Sequence, residues 1–111
     1  MEAEPSTARP TGYNVLKMAT RGSARLLGRD DIGQLTEGKC ADLFMIDSRR
    51  LELVGCGCDA GSVLGTVGVR GPVDCTVVQG RVTVEGGRLV TVDEEALARE
   101  ADAKCRAYLA L

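Results

Sequence analysis

Between Asn14 and Leu27, Leu16, Ala19, Ser23 and Leu26/Leu27 recur three and four residues apart, the spacing of a helical stripe. Thr11 or Asn14 suits the N-cap, and Gly28 stands where a C′ glycine would end the helix. Gly22 inside it costs about 1 kcal/mol against alanine, which predicts close packing against another element. Then comes "DDIGQLTEGKCADLFMID", Asp30 to Asp47. Its Ala41–Ile46 run is apolar on both faces and predicts a strand that needs cover on each side. Residues 48–60 read as irregular, and "GCGC" at Gly55 to Cys58 reads as a loop with no helix after it. Ser62 to Val69 fits either a short buried helix or a strand. Beyond it, Val73–Val78, Arg81–Glu85 and Arg88–Val92 read as short strands joined by Gln79-Gly80 and Gly86-Gly87, residues suited to tight hairpins. Asp93 caps a last helix with Glu94 and Glu95 in its first turn. Its predicted buried stripe is Leu97, Ala101, Cys105 and Tyr108/Leu109. The outline is α+β.

Length and charge narrow the function. A chain of 111 residues fits one domain and could bury about two-thirds of its unfolded surface. Phe44, Tyr13 and Tyr108 are its only aromatics, so the core must be aliphatic. With 14 basic and 16 acidic residues there is no excess positive charge for a nucleic-acid groove. No apolar run reaches the ~20 residues of a membrane span. Residues 1–13 are expected to form a mobile leader without the apolar core of a secretory signal, and the expected compartment is cytoplasmic. The division this suggests is 1–13 leader, 14–28 helix, 29–92 β-sandwich segment and 93–111 helix.

Candidate chemistry is sparse. The five cysteines, Cys40, Cys56, Cys58, Cys75 and Cys105, are an odd number and read as reduced thiols. Cys56 and Cys58 form a C-x-C pair, but no second pair and no histidine joins them, so they read as small hydrophobes rather than metal ligands. The absence of histidine removes Ser-His and Cys-His nucleophile pairs and every His-based metal site. No Walker-type loop or strand-borne G-x-G-x-x-G is present.

The motifs A-T-x-G-x-A-x-x-L-G at Ala19–Gly28 and I-G-x-L-x-x-G-K-x-A-D-L-x-x-x-D at Ile32–Asp47 resemble the C-terminal end of metal-dependent amidohydrolases. The similarity is greatest to the cytosine deaminase and chlorohydrolase-like branch, near 8-oxoguanine deaminase and hydroxyatrazine ethylaminohydrolase. "VVQGRVTVEGGRLV" looks like that family's closing V-x-N-G-R-x-V-V-x-x-G-R-x-V. Two departures stand out: Cys58-Asp59-Ala60 replaces a His-Asp-Pro, and Gln79 replaces asparagine. The resemblance implies a last barrel helix, part of a composite β-sandwich and a C-terminal helix. It also implies a TIM barrel of about 250 residues elsewhere, holding zinc or iron by H-x-H, further histidines and an aspartate. That metal activates water for deamination of a purine- or triazine-like heterocycle. None of those ligands lies in this sequence.

Accordingly no catalytic, cofactor-binding or metal-binding residue is expected here. Asp42 is expected to accept backbone amides at the strand entry while Lys39 stays in solvent, rather than forming an acid/base pair. Gly33 and Gly38 are expected to serve the backbone, Asp30-Asp31 to solvate or cap a turn, and Arg49-Arg50 to be too short a run for an electrostatic patch. Three functions remain: an amidohydrolase segment inert alone, a non-catalytic sandwich module docking on a barrel-bearing subunit or on itself, and a thiol-based redox or metal sensor. Expected partners are the missing barrel portion or a second copy through β edges, with no nucleic acid and no membrane.

Overall fold

The computed structural model describes residues 10–110. It divides into two compact units: the described part of Met1–Lys39 with Asp47–Arg70, and Cys40–Ile46 with the described part of Gly71–Leu111. Residues 29–92 therefore contribute to both. Of the expected leader, residues 1–9 lie outside the described residues, and the helix starts at Gly12 rather than Asn14.

In the first unit, α1 (Gly12–Lys17) runs through one π turn (Met18–Gly22) into α2 (Ser23–Leu26). Both Thr11 and Asn14 cap it. The Thr11 hydroxyl accepts the Asn14 amide at 3.3 Å, and the Asn14 side chain accepts the Thr11 amide at 2.9 Å. The widened turn coincides with hydroxyls that reach back to carbonyls, Thr20 Oγ1 to Leu16 at 2.9 Å and Ser23 Oγ to Met18 at 3.3 Å. Gly28, at φ +67°, ends the helix as expected, with Gly28 N donating to Arg25 O and Arg29 N to Ala24 O, both at 3.0 Å.

Residues 48–60 wind into 3₁₀ turns at Leu51–Leu53 and Cys56–Cys58, and the segment after them is a helix, α3 (Ala60–Thr66). This resolves the ambiguity over Ser62 to Val69 and corrects the reading of "GCGC" as a loop with no helix to follow. The missed signal was Asp59, whose carboxylate accepts the Ser62 amide at 3.1 Å and caps α3. α3 packs on α1, and here glycine is required. A Cβ on Gly12 would lie 2.0 Å from Ser62 O, and one on Gly65 would lie 1.8 Å from Gly12 O. Gly22, by contrast, would meet only Lys17 O at 3.7 Å and Met18 Cβ at 3.9 Å, ordinary contacts within its own helix. The close approach expected at Gly22 is thus at Gly12 and Gly65.

The second unit is a four-stranded antiparallel sheet in the order β1 (Leu43–Met45), β2 (Cys75–Val78), β3 (Arg81–Glu85), β4 (Arg88–Leu89), followed by α4 (Glu94–Leu109). β1 is shorter than the apolar run Ala41–Ile46, and β4 ends at Leu89 rather than Val92. Val78 pairs with Arg81 across Gln79-Gly80, and Glu85 with Arg88 across Gly86-Gly87. All four turn residues have positive φ, Gln79 at +49° and Gly80 at +76° among them, the geometry of a type I′ turn. A register shift between Thr76 and Val77 leaves Thr83 as the extra residue of β3. Its hydroxyl donates to Thr76 O at 3.3 Å and its carbonyl accepts the Val90 amide at 3.0 Å.

The departure at Gln79 now has a physical meaning. A long side chain held left-handed is strained, whereas asparagine tolerates that region. Gln79→Asn is expected to stabilise the second unit by about 0.5–1 kcal/mol, read as a higher urea midpoint. A midpoint unchanged or lowered would show that this turn holds no strain.

The core is small. Among the described residues the buried apolar side chains are Ala24, Leu53 and Cys56. The stripe expected to be buried on α4 is exposed: Leu97 is 52 % accessible and Tyr108 90 %. α4 is held instead by polar contacts at its start, where Asp93 accepts the Glu95 and Ala96 amides and Glu94 accepts the Leu89 amide at 2.7 Å. Nothing among the described residues covers its apolar face. On β1, Phe44 and Met45 are each 53 % accessible.

Candidate functional site

The signature stretch Ala19–Asp47 acts mainly through its backbone. Gly33, at φ +84°, lies so near the first helix that a Cβ would meet Ala24 Cβ and Thr20 O at 2.9 Å each. Motif positions Thr20, Ala24 and Gly33 are therefore one packing contact, helix against returning loop. Gly38, at φ +81°, has open space around it and serves only the left-handed turn.

Asp42 does what the sequence suggested. Its Oδ1 accepts the Gln79 amide at 2.7 Å, tying the entry of β1 to the β2–β3 turn, and Gly80 N donates to Ala41 O at 3.0 Å beside it. Lys39 departs from expectation. It is half-buried, and its ammonium donates to the backbone carbonyl of Asp30. The reason is the turn between Ile32 and Gly38, which folds Lys39 back over the end of the first helix. Lys39 and Asp42 thus have separate partners, the Asp30 carbonyl and the Gln79 amide.

The acidic turn is committed locally: Arg29 Nε and Nη2 donate to the Asp31 carboxylate at 2.9 and 2.6 Å. Arg49 grips Asp47 in the same way from Nε, Nη2 and its backbone amide. The Arg49 side-chain hydrogen bonds pull the Asp47 carboxyl down to about 2. Both pairs are exposed and act as turn braces rather than as acid or base.

A hollow of about 180 Å³ opens beside the signature stretch, lined by Arg21, Arg25, Arg29, Lys39, Asp30 and Gln34 among others. Nothing in the sequence reading singled it out. Its available signal was Arg21 and Arg25 spaced four apart, one turn of helix.

Cys56 is buried and Cys58 exposed. Cys56 Sγ lies 3.9 Å from Ser48 O, the contact of a packed thiol. Among the described residues no three His, Cys, Asp or Glu side chains come together as a metal cage. With no histidine in the chain, the residues present do not fit a catalytic divalent metal. No helix among the described residues is long and apolar enough to cross a membrane.

A sequence profile described as the amidohydrolase family matches residues 7–83. Hydroxydechloroatrazine ethylaminohydrolase of Pseudomonas sp. (strain ADP) is 44% identical over 93 residues, covering 84% of this chain and 19% of that protein. A 5-methylthioadenosine/S-adenosylhomocysteine deaminase of Desulforudis audaxviator is 39% identical over 101 residues, 90% of this chain and 23% of its own length. Among solved structures, atrazine chlorohydrolase from Arthrobacter aurescens TC1, complexed with zinc, superposes with a TM-score of 0.73 at 36% identity over 84% of this chain and 20% of that one. The chain thus spans about a fifth of the length of the relatives it matches.

Proposed function

The chain belongs to the amidohydrolase family, and on that premise we propose that it forms the C-terminal part of a metal-dependent aminohydrolase acting on a purine- or triazine-like heterocycle. The observation that carries this reading is the match over residues 7–83, together with relatives that are deaminases and aminohydrolases. In this reading the divalent metal, zinc or iron, is held by side chains outside the present sequence, and no step of the reaction is assigned to this chain. The zinc of the solved neighbour supports that choice of metal. The chain's own contribution is structural. It supplies the end of a barrel helix, the loop that Gly33 seats against it, and one sheet of a sandwich whose other layer comes from the barrel-bearing portion. The exposed apolar residues Phe44, Met45 and Leu97 support such a partner. We place the protein in the cytoplasm, a reading supported by its odd number of cysteines.

Complementation tests the proposal. Hydroxydechloroatrazine ethylaminohydrolase is truncated before the region that this chain matches, then assayed for metal-dependent amine release alone and with the 111-residue chain added. Release is expected only from the mixture, and neither part alone should turn over. Metal-dependent turnover by the 111-residue chain itself, scaling with its concentration, would overturn the structural role. A mixture in which the two parts fail to co-sediment would overturn the partnership.

A further inference from the structure

We propose that the hollow beside the first helix is a binding site for a small oxyanion with a phosphate or carboxylate head group. This is independent of the aminohydrolase reading, which assigns no ligand to this chain.

The first argument is charge. Four of the lining side chains are cationic; with Arg29 paired to the Asp31 carboxylate, Arg21, Arg25 and Lys39 remain against the single carboxylate of Asp30, in a chain whose net charge is −2. A local concentration of positive charge on an acidic chain is not a consequence of composition. Arg21 and Arg25 stand four residues apart on the first helix, where like charges repel by about 0.2–0.5 kcal/mol. Neither makes an ion pair among the described residues, and the Asp30 carboxylate makes none there either. An anion between the two guanidinium groups would remove that repulsion.

The second argument is pre-organisation. Arg29 is anchored by its two bonds to Asp31, and Lys39 by its bond to the Asp30 carbonyl. Both cations are therefore fixed at the rim before any ligand arrives. Arg21 and Arg25 carry planar forks that match phosphate and carboxylate oxygens two at a time. Gln34 adds a neutral amide to the lining.

The third argument is size. At about 180 Å³ the hollow falls below the ~300–1,000 Å³ of pockets that enclose drug-sized ligands. It has room for several waters. That suits an oxyanion with part of its hydration shell.

The test uses the 111-residue chain, labelled with ¹⁵N and titrated with inorganic phosphate and with acetate at constant ionic strength. Saturable amide shifts confined to residues near Arg21, Arg25 and Lys39 are expected, each probe displacing the other, and the tighter one identifies the head group. R21Q/R25Q should weaken binding at least tenfold, whereas Arg99→Gln on α4 should leave it unchanged. R21K/R25K keeps the charge and the helix while removing the forks. It is expected to bind several-fold more weakly and stands in should the glutamine pair fail to fold. Shifts that never saturate, equal losses in Arg99→Gln, or affinities in both double variants equal to the parent would overturn the site.

Discussion

Gly65→Ala is expected to destabilise the first unit by about 2–3 kcal/mol, although alanine is the better helix former by about 1 kcal/mol. The added methyl would lie 1.8 Å from the carbonyl oxygen of Gly12 and 2.5 Å from its carbonyl carbon. Both are backbone atoms held in α1, so no rotamer change relieves the clash. α1 and α3 must separate, and the separation uncovers Leu16, Val63 and Leu64, the half-buried apolar side chains of the two helices. Gly22→Ala provides the contrast. There the nearest atoms stand at 3.7 and 3.9 Å, so the intrinsic preference for alanine prevails and a gain of up to about 1 kcal/mol is expected. The same chemical change should thus have opposite signs at two helical glycines. Urea midpoints and amide exchange in Gly12–Leu26 measure both. Equal effects at the two positions would show that the helices do not cross where Gly12 and Gly65 meet.

The chain alone is expected to associate at micromolar concentration, and to stop doing so when the barrel-bearing portion is supplied. Within the sheet, β1 forms one edge, with Phe44 and Met45 both more than half accessible. Val78, Val82 and Leu89 on the neighbouring strands remain 47 %, 46 % and 42 % accessible. Leu97 and Leu109 on α4 are exposed as well. Fully burying a side chain of this size is worth roughly 1.5–3 kcal/mol, so even half that gain over several residues rivals the ~5–15 kcal/mol stability of a whole domain. An edge with unpaired amides and carbonyls adds a template for another strand. Sedimentation velocity with and without the truncated relative decides the matter, alongside binding of an apolar dye. A cooperatively melting monomer that binds no dye would show that these faces are covered within the chain.

Much of the fold was legible because its signals are local. Thr11, Gly28 and Asp93 mark helix ends through their own hydrogen-bonding and φ preferences. Gln79-Gly80 and Gly86-Gly87 announce hairpins in the same way. Asp42, read as a carboxylate satisfying backbone amides, bonds the Gln79 amide across 37 residues of chain. Its motif position carried that much, since an aspartate entering a strand has few other roles.

What remained hidden depends on which elements meet. Periodicity marked Leu97, Cys105 and Tyr108 as a stripe, but whether a stripe is covered is decided by the neighbour laid against it. The close approach expected at Gly22 occurs at Gly12 and Gly65, because a glycine's missing Cβ matters only where another backbone arrives. Lys39 was placed in water on the rarity of buried charge. The turn ending at Gly38 instead brings its ammonium to a carbonyl nine residues away. The cationic hollow likewise exists only once the loop carrying Arg29, Gln34 and Lys39 is folded beside Arg21 and Arg25. The caps at Thr11 and Asp93 and the two hairpin turns follow from each residue's own bonding and steric preferences, and these the sequence determined by itself. Coverage, close contact and the gathering of charge depend on the distance between residues far apart in the chain, and these only the tertiary structure decided.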